Sequence, residues 1–280
     1  MPYNIAVCVK PVPDPKHYDR VTIDPVKKTI TRAGIPTLIN PPDKSAIEAA
    51  LQLRERCGGS VVVISMAPPD GAEILREVLA MGADEAFLLS DRALGGADTL
   101  ATSYTLLHGL KKIEAAKGFR FDIVLCGNET ADGATAQVSS QLGEWLEYPH
   151  LWNVSALESK GTDGEGKETF LLRTKMENGY MEWTAQTPFV LGIARDMTKP
   201  RFTSVMGIMK AKNKPLTVWN RADLDTAEDT YLGLPGSPTQ PGVIFSPDLK
   251  RSGELLTGTP EEIVGRITAI LRASGVVTGG

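Results

Sequence analysis

Short runs of β-branched and apolar residues recur through the first half of the chain, each followed by a turn and a helical pattern. The predicted strands are Asn4–Val9, Ser60–Met66, Glu85–Leu89 and Phe121–Cys126. Such short, uniformly apolar runs are typical of parallel strands that are buried on both faces. Because parallel strands need crossover connections, usually helices, the alternation predicts an α/β fold with a doubly wound, mostly parallel sheet.

The segments between these strands carry apolar residues at helical spacing. The predicted helices are Asp43–Cys57, Gly71–Met81, Thr99–Ala116 and Gln137–Leu146. Asp43 is expected to cap the first helix, and Gly58 with Gly59 is expected to end it. These helices supply the crossovers that a parallel sheet requires.

The pattern changes after Pro149. Val154–Lys175 predicts an antiparallel hairpin around a glycine-rich loop, and Phe189–Ala194 predicts one more core strand. The weakly periodic segment Lys212–Leu255 is rich in Pro and Gly and predicts an extended arm, which must lie on its own core or on a partner subunit. A last amphipathic helix is expected over Pro260–Ala273.

Bulk properties exclude several classes of protein. A net charge of -4 gives no reason to expect binding to nucleic acid or to an anionic membrane. The three cysteines Cys8, Cys57 and Cys126 are widely spaced and form no CxxC pair, so neither a disulfide framework nor a zinc site is predicted. Because no apolar run approaches the roughly 18 residues of a membrane span and no signal peptide is evident, we expect a cytoplasmic protein without membrane insertion.

Two loops at the carboxyl ends of the predicted strands suit an anionic nucleotide. The loop Gly127–Val138 follows a buried strand and opens a helix, its small residues leave backbone N–H groups accessible, and Thr135 adds a hydroxyl. A simple capped turn remains the alternative, since neither GxxxxGK[ST] nor GxGxxG is present. The loop Ser90–Ser103 also opens a helix, with Asp98 as the expected N-cap.

Asn40 precedes a pair of prolines, which favours an extended backbone at that residue. Its side chain is expected either to read the edge of a base or to anchor a loop. The usual catalytic groupings are missing: the three histidines are scattered, and no G-x-S-x-G elbow or metal-ligand spacing occurs. A nucleotide-binding protein of this kind is expected to be a carrier or scaffold rather than a hydrolase.

Seven strings occur in order over most of the chain: VCVKPVPD, INPPDKSAIEAALQLRE, MGADEAFLLSD, GGADTLATS, CGxxxxDGxTAQV, KPRF…IMKAK and GSPTQ. Together they resemble the beta-type subunits of electron-transfer flavoproteins, and GGADTLATS resembles the anaerobic, bifurcating-type members. The resemblance implies an adenine nucleotide alpha hydrolase-like fold. It also implies an electron carrier subunit, rather than a stand-alone enzyme, that pairs with an alpha subunit holding most of the FAD.

The resemblance further implies electron exchange with an acyl-CoA dehydrogenase or related flavoprotein, and a second nucleotide in this subunit. That nucleotide is either a structural AMP or a second FAD that bifurcates electrons from NADH. Asn128 and Ala134 stand where the bifurcating-type loop commonly has Arg and Asp, so both alternatives remain open. The implied division of the chain is a nucleotide-binding domain, 1–211, with a hairpin insertion at about 152–185, and an arm and helix, 212–280, that packs on the partner subunit.

Carried over by position, the resemblance predicts the residues that contact the nucleotide and the partner dehydrogenase. The predicted nucleotide contacts are Cys8, Asn40, Pro41, Asp43, Met66, Asp98, Thr99, Thr102, Cys126, Gly127, Asn128, Asp132, Gly133, Ala134, Thr135, Ala136, Gln137 and Val138. The predicted partner contacts are Arg195, Met197 and Arg201. Two other classes are kept as alternatives: a flavin-free nucleotide sensor of the universal-stress type, and a free-standing NADH-dependent oxidoreductase, against which the missing GxGxxG argues.

Overall fold

The computed structural model describes residues 2–20, 22–24, 29–31, 34–162, 168–240, 242 and 253–276. The chain divides into two compact units, Met1–Val243 and Ile244–Gly280. Among the described residues, no helix has the length and apolar character needed to span a membrane.

A nine-stranded sheet forms the centre of the first unit, with strand order β11-β10-β9-β12-β8-β1-β6-β7-β13. Two small antiparallel pairs, β2 with β5 and β3 with β4, complete the strands in the described part of the chain. The strands are β1 Tyr3–Cys8, β2 Pro11–Pro13, β3 Thr22–Asp24, β4 Thr29–Thr31, β5 Thr37–Ile39, β6 Gly59–Met66, β7 Glu85–Leu89, β8 Ile123–Gly127, β9 His150–Thr162, β10 Glu168–Met176, β11 Gly179–Gln186, β12 Phe189–Ile193 and β13 Leu216–Trp219.

Helices cover both faces of the parallel part of this sheet. Alternate residues of each strand point to opposite faces, so the apolar side chains on each face are buried by helices. The helices are α1 Pro41–Cys57, α2 Gly71–Met81, α3 Thr99–Lys117, α4 Val138–Leu146, α5 Val205–Ala211 and, in the second unit, α6 Pro260–Ala273. Leu51 of α1 and Leu75 of α2 belong to the core on one face. Leu107 of α3 and Leu142 of α4 belong to the core on the other. The predicted doubly wound α/β fold is confirmed.

Antiparallel strands extend the parallel sheet at one end. β9 pairs with β10, and β10 pairs with β11, so the hairpin predicted around Val154–Lys175 is present and one strand longer than expected. β9 also pairs in parallel with β12, which joins the hairpin to the core of the sheet.

The start of α1 differs from the prediction. The helix begins at Pro41 with Asn40 as its N-cap, so the expected N-cap role of Asp43 is wrong. The physical reason is that Pro41 and Pro42 have the φ of a first helical turn and carry no N–H that would need a partner. Asp43 thereby becomes a first-turn residue.

Residues beyond 211 contribute to the first unit, which extends to Val243. β13 pairs in parallel with β7 at the edge of the sheet. The Arg76 guanidinium donates to the carbonyl oxygens of Ala211 and Lys214, at 2.8 and 2.7 Å. In the second unit, α6 begins at Pro260, and its N-cap Thr259 forms a capping box with Glu262, as expected for a helix over Pro260–Ala273.

Candidate functional site

The predicted nucleotide contacts lie at one edge of the sheet. β1, β6, β7 and β8 are parallel neighbours, so their carboxyl ends and the loops that follow lie on the same side. Cys8 and Met66 lie at the ends of β1 and β6, and Gly127 ends β8. Because α1, α3 and α4 follow loops at this edge, their amino ends bring Asn40, Asp98 and Gln137 to the same region.

Asn40 anchors the loop after β8, which is one of its two predicted roles. Its Nδ2 group donates to Asp43 Oδ1 and to the carbonyl oxygen of Glu129, both at 2.8 Å. Its Oδ1 atom accepts from the backbone N–H of Ala131 at 3.1 Å. The residue is fully buried, and its side chain makes no cap hydrogen bond to its own helix.

Asp43 ties the loop after β1 to the start of the loop after β8. Its Oδ2 atom accepts from the backbone N–H of Lys10 at 2.7 Å, and its Oδ1 atom accepts from that of Gly127 at 3.1 Å. Burial raises the pKa of Asp43 to about 7, against the opposing effect of these hydrogen bonds. A second tie joins the same loops, since Lys10 Nζ lies 2.7 Å from Asp132 Oδ1.

Gly127 permits this close approach. A Cβ atom at residue 127 would lie 2.2 Å from Asp43 Oδ1 and 2.8 Å from Pro42 Cβ. These distances are far shorter than van der Waals contact, so any larger residue would push Asp43 away from the loop. The glycine at the start of the CGxxxxDGxTAQV string therefore has a packing role.

The loop between Gly127 and α4 leaves the amino end of that helix open. Ala134 and Ala136 adopt φ values of 48° and 56°, a left-handed conformation that is uncommon outside glycine and often marks a functional segment. The N-cap of α4, Gln137, makes no side-chain cap hydrogen bond. The first N–H groups of α4 are therefore available to an anion.

Three buried side-chain oxygens between residues 128 and 141 have no hydrogen-bond partner in the described part of the chain. They are Asn128 Oδ1, Ser139 Oγ and Gln141 Oε1. The accessible donors of this segment are the N–H groups at the start of α4, which suit an anionic group such as a phosphate.

At the start of α3, a side chain of the protein already binds the first N–H groups of the helix. Asp98 Oδ1 accepts from the backbone N–H groups of Leu100 and Ala101 at 3.0 Å, as the predicted N-cap. Its Oδ2 atom accepts from the N–H of Thr239 at 2.9 Å, and its own N–H donates to Ser237 Oγ at 2.8 Å. The predicted contact Asp98 thus has both carboxylate oxygens occupied by backbone donors.

The two helix starts are joined by a hydrogen-bonded bridge. Thr99 Oγ1 donates to Gln137 Oε1 at 2.8 Å and accepts from Gln141 Nε2 at 3.2 Å. Thr102 lies one turn further along α3 and is half-buried.

The predicted nucleotide contacts in the loop before α4 differ in exposure. Those exposed to solvent are Gly133, Ala134, Thr135 and Gln137.

The thiols and the buried histidine offer no reactive group. The neighbouring Cys8 thiol and burial raise the pKa of Cys126 well above its usual range, so this thiol stays protonated at neutral pH. Burial lowers the pKa of His108, whose Nδ1 atom lies 2.7 Å from Thr226 Oγ1, in keeping with a structural role. Over the described ranges, no cluster of His, Cys, Asp and Glu is arranged to hold a metal ion.

The three predicted partner contacts follow β12 and have different environments. Arg195 is exposed, whereas Met197 is partly buried and packs against the hydrophobic core on the face of the sheet covered by α1 and α2. The Arg201 guanidinium binds the carboxylates of Glu48 and Glu55 on α1, with Nε 2.8 Å from Glu48 Oε2. The strongly exposed apolar side chains of this region lie just beyond and were not predicted: Phe202, Val205, Met206, Ile208 and Met209.

Sequence reasoning missed several residues of the site. Lys10, Ser139, Gln141, Ser237 and Thr239 were not assigned there, although each bonds to the site loops or carries an unpartnered oxygen in them. The available signal was the position of Ser139 and Gln141 on the first turn of a helix that opens beyond a phosphate-compatible loop. Ser237 and Thr239 carried a weaker signal, since they belong to the GSPTQ string.

Residues 27–224 match the family model described as electron transfer flavoprotein domain. The chain is 42% identical over 276 residues to the caffeyl-CoA reductase-Etf complex subunit CarD of Acetobacterium woodii, covering 98% of this chain and 100% of that one. It is 41% identical over 269 residues to the electron transfer flavoprotein subunit beta of Clostridium acetobutylicum, covering 96% and 98%. It is 37% identical over 243 residues to protein FixA of Azotobacter vinelandii, covering 86% and 83%. These similarities do not favour the universal-stress alternative.

Proposed function

We propose a function from one premise: the chain belongs to the electron-transfer flavoprotein family, as a beta-type subunit. In this proposal the protein is an electron carrier subunit. It holds an adenine nucleotide at the start of α4 and works in a complex with an alpha subunit that carries the electron-transferring FAD. Flavin supplies the redox chemistry, while the protein sets its position and surroundings.

The open amino end of α4 carries the proposal of a nucleotide site. Backbone N–H groups at a helix start favour a phosphate, and the helix dipole adds to that preference. AMP and the adenylate half of FAD present the same groups to this segment, so both are candidates for the nucleotide of this subunit.

The residues that would hold the nucleotide differ in how accessible they are to a ligand. Gly133 through Gln137 and the first turn of α4 present backbone groups and exposed side chains. The thiols of Cys8 and Cys126 lie buried at the strand ends and would form an apolar floor. No residue here is placed to abstract a proton or attack a bond, which suits a carrier.

The second unit supports the proposal of a protein partner. The α6 helix exposes Val264, Ile267 and Ile270 at the spacing of one helical face. An apolar stripe of this kind is usually covered by another protein surface. We assign this role to the alpha subunit, and one relative is named as a subunit of a caffeyl-CoA reductase complex.

The segment after β12 supports a docking surface for the electron-exchanging flavoprotein, an acyl-CoA dehydrogenase or a related enzyme. Arg195 and Met197 are the predicted contacts there, and Phe202 on the same segment is 95% exposed. The salt bridges of Arg201 to Glu48 and Glu55 hold the segment on α1. The replacement Phe202→Ala is expected to slow electron transfer to the dehydrogenase at least severalfold without changing the melting temperature.

One experiment tests the whole proposal. The chain is co-purified with the alpha subunit, the nucleotides are released with acid, and they are separated by chromatography. One FAD and one AMP per heterodimer support a carrier with a structural AMP, and two FAD support bifurcation. A heterodimer that is intact but holds no flavin would contradict the proposed function.

A further inference from the structure

We propose that Asn40 and Asp43 are positioning residues, whose side chains hold the segment Gly127–Gly133 against the loop after β1 and so keep the nucleotide loop in its binding conformation. The inference rests on the proposed function, because it concerns how the same loop is held ready. It assigns to both side chains a structural role in addition to the contact that the family resemblance predicts. We call the two side chains and the backbone groups they bind the loop clamp.

The local sequence explains why these two side chains are free for such a role. Asn at an N-cap normally accepts hydrogen bonds from N–H groups of its own first turn. Here Pro41 and Pro42 occupy that turn and have no N–H to donate. The Asn40 side chain therefore bonds to the Asp43 carboxylate and to Glu129 and Ala131, which are distant in sequence.

Asn40 uses both of its side-chain N–H donors within the protein. An amide side chain has two N–H donors, and both are used, one by Asp43 and one by the carbonyl of Glu129. Its oxygen accepts from Ala131, and none of its surface is exposed. Because it is buried and bonded to three partners, the Asn40 side chain is placed to shape the loop.

Asp43 extends the clamp to two strand ends. It accepts from Lys10 after β1 and from Gly127 at the end of β8, and only 4% of its surface is exposed. The close approach requires glycine at residue 127. The clamp thus holds Gly127, the first residue of the loop, through Asp43, and it holds Glu129 and Ala131 through Asn40.

The salt bridge between Lys10 and Asp132 provides an internal comparison. It joins the same two loops, but the Lys10 side chain is 40% exposed, so solvent weakens the attraction. Lys10→Ala is therefore expected to affect the loop less than Asn40→Ala does. This ranking distinguishes a buried clamp from a general attraction between the loops.

The test measures amide hydrogen exchange in peptides covering residues 127–137, without nucleotide, in the wild type, Asn40→Ala and Asp43→Asn. The matched control is Asp122→Asn, since Asp122 accepts a backbone N–H from Asn4 at 2.8 Å at the opposite edge of the sheet. The expected result is at least tenfold faster exchange in these peptides for both clamp variants, and no change there for the control. Asn40→Ser serves if Asn40→Ala does not fold.

The second readout is the affinity for AMP and for FAD by calorimetry, at matched temperatures below each melting transition. Loss of the clamp is expected to weaken binding by about tenfold or more, chiefly through a faster dissociation rate. Unchanged loop exchange in both clamp variants, or equal acceleration by Asp122→Asn, would overturn the positioning role. A wild type that binds neither AMP nor FAD overturns the proposed function instead, while the exchange result still decides the clamp.

Discussion

The starts of α3 and α4 lie side by side at the same edge of the sheet, yet they are finished in opposite ways. At α3, Asp98 caps the helix and also binds the N–H of Thr239, so the chain satisfies its own donors. At α4, Gln137 makes no cap hydrogen bond, and Ser139 carries an unpartnered hydroxyl. The comparison shows that a phosphate-compatible sequence before a helix does not by itself make a site. The first N–H groups of the helix must also be free of hydrogen bonds to other groups of the protein.

The largest effect is expected at the loop that leads into α4. In Gly127→Ala the new methyl group would overlap Asp43, and overpacking of this kind costs about 1–3 kcal/mol. We expect AMP and FAD affinity to fall by about tenfold to a hundredfold. Binding is measured by calorimetry and stability by thermal melting.

Gly133→Ala is the matched control in the same loop, because its Cβ would meet only Thr130 Oγ1, at 3.1 Å. It is expected to bind AMP within a few fold of the wild type. Equal losses in the two variants would show that the loop tolerates no side chain at all, and would remove the special role of the contact between Gly127 and Asp43.

Asp98→Ala tests the closed helix start. Losing an N-cap is expected to lower the free energy of unfolding by about 1 kcal/mol, and the loss of the Thr239 contact adds to this. AMP affinity is expected to change less than threefold, since the account places the nucleotide at α4. Asp98→Asn is the control, because Asn caps helices as well as Asp does. A tenfold loss of AMP affinity in Asp98→Ala alone would place the phosphate at α3.

A pH dependence is expected from Asp43. Burial raises its pKa from 3.8 to about 7, so between these values the folded protein keeps a proton that the unfolded chain releases. The contribution of Asp43 to the free energy of unfolding is therefore complete below about pH 4 and is lost as the pH rises to about 7. Asp43→Asn removes it, so the difference between wild type and variant in urea unfolding should shift over this range. A pH-independent difference would contradict the buried carboxyl.

The smallest effect is expected for the bridge between the two helices. Thr99→Val removes the hydrogen bonds to Gln137 and Gln141, which are worth about 1 kcal/mol in total because the groups are partly exposed. The melting temperature should fall slightly, with AMP affinity unchanged. Thr99→Ser, which keeps the hydroxyl, should restore the wild-type value. A binding defect larger than the stability defect would indicate that Thr99 contacts the nucleotide directly.

Features with local causes could be predicted from the sequence. The bounds of Gly71–Met81 and Glu85–Leu89 agree with the structure because hydrophobic periodicity and turn residues encode them within a few positions. Asp98 was recognisable as an N-cap for the same reason. The family strings located the edge of the sheet where the site residues meet.

Features with distant causes could not be predicted. β13 has four residues and becomes a strand through pairing with β7, and the segment before it is held by Arg76, more than 130 positions away. The partners of Asn40 are about 90 residues distant, so its choice between reading a base and anchoring a loop depended on the fold. The open end of α4 could not be predicted because it reflects a side chain that bonds to α3 instead of capping its own helix.

Hydrogen exchange with and without AMP tests the central claim most directly. The account predicts that AMP slows exchange in peptides covering residues 127–142, where the first N–H groups of α4 lie, and leaves residues 96–103 unchanged because Asp98 already binds the donors there. Protection confined to residues 96–103, with none over 127–142, would contradict the placement of the nucleotide at the start of α4.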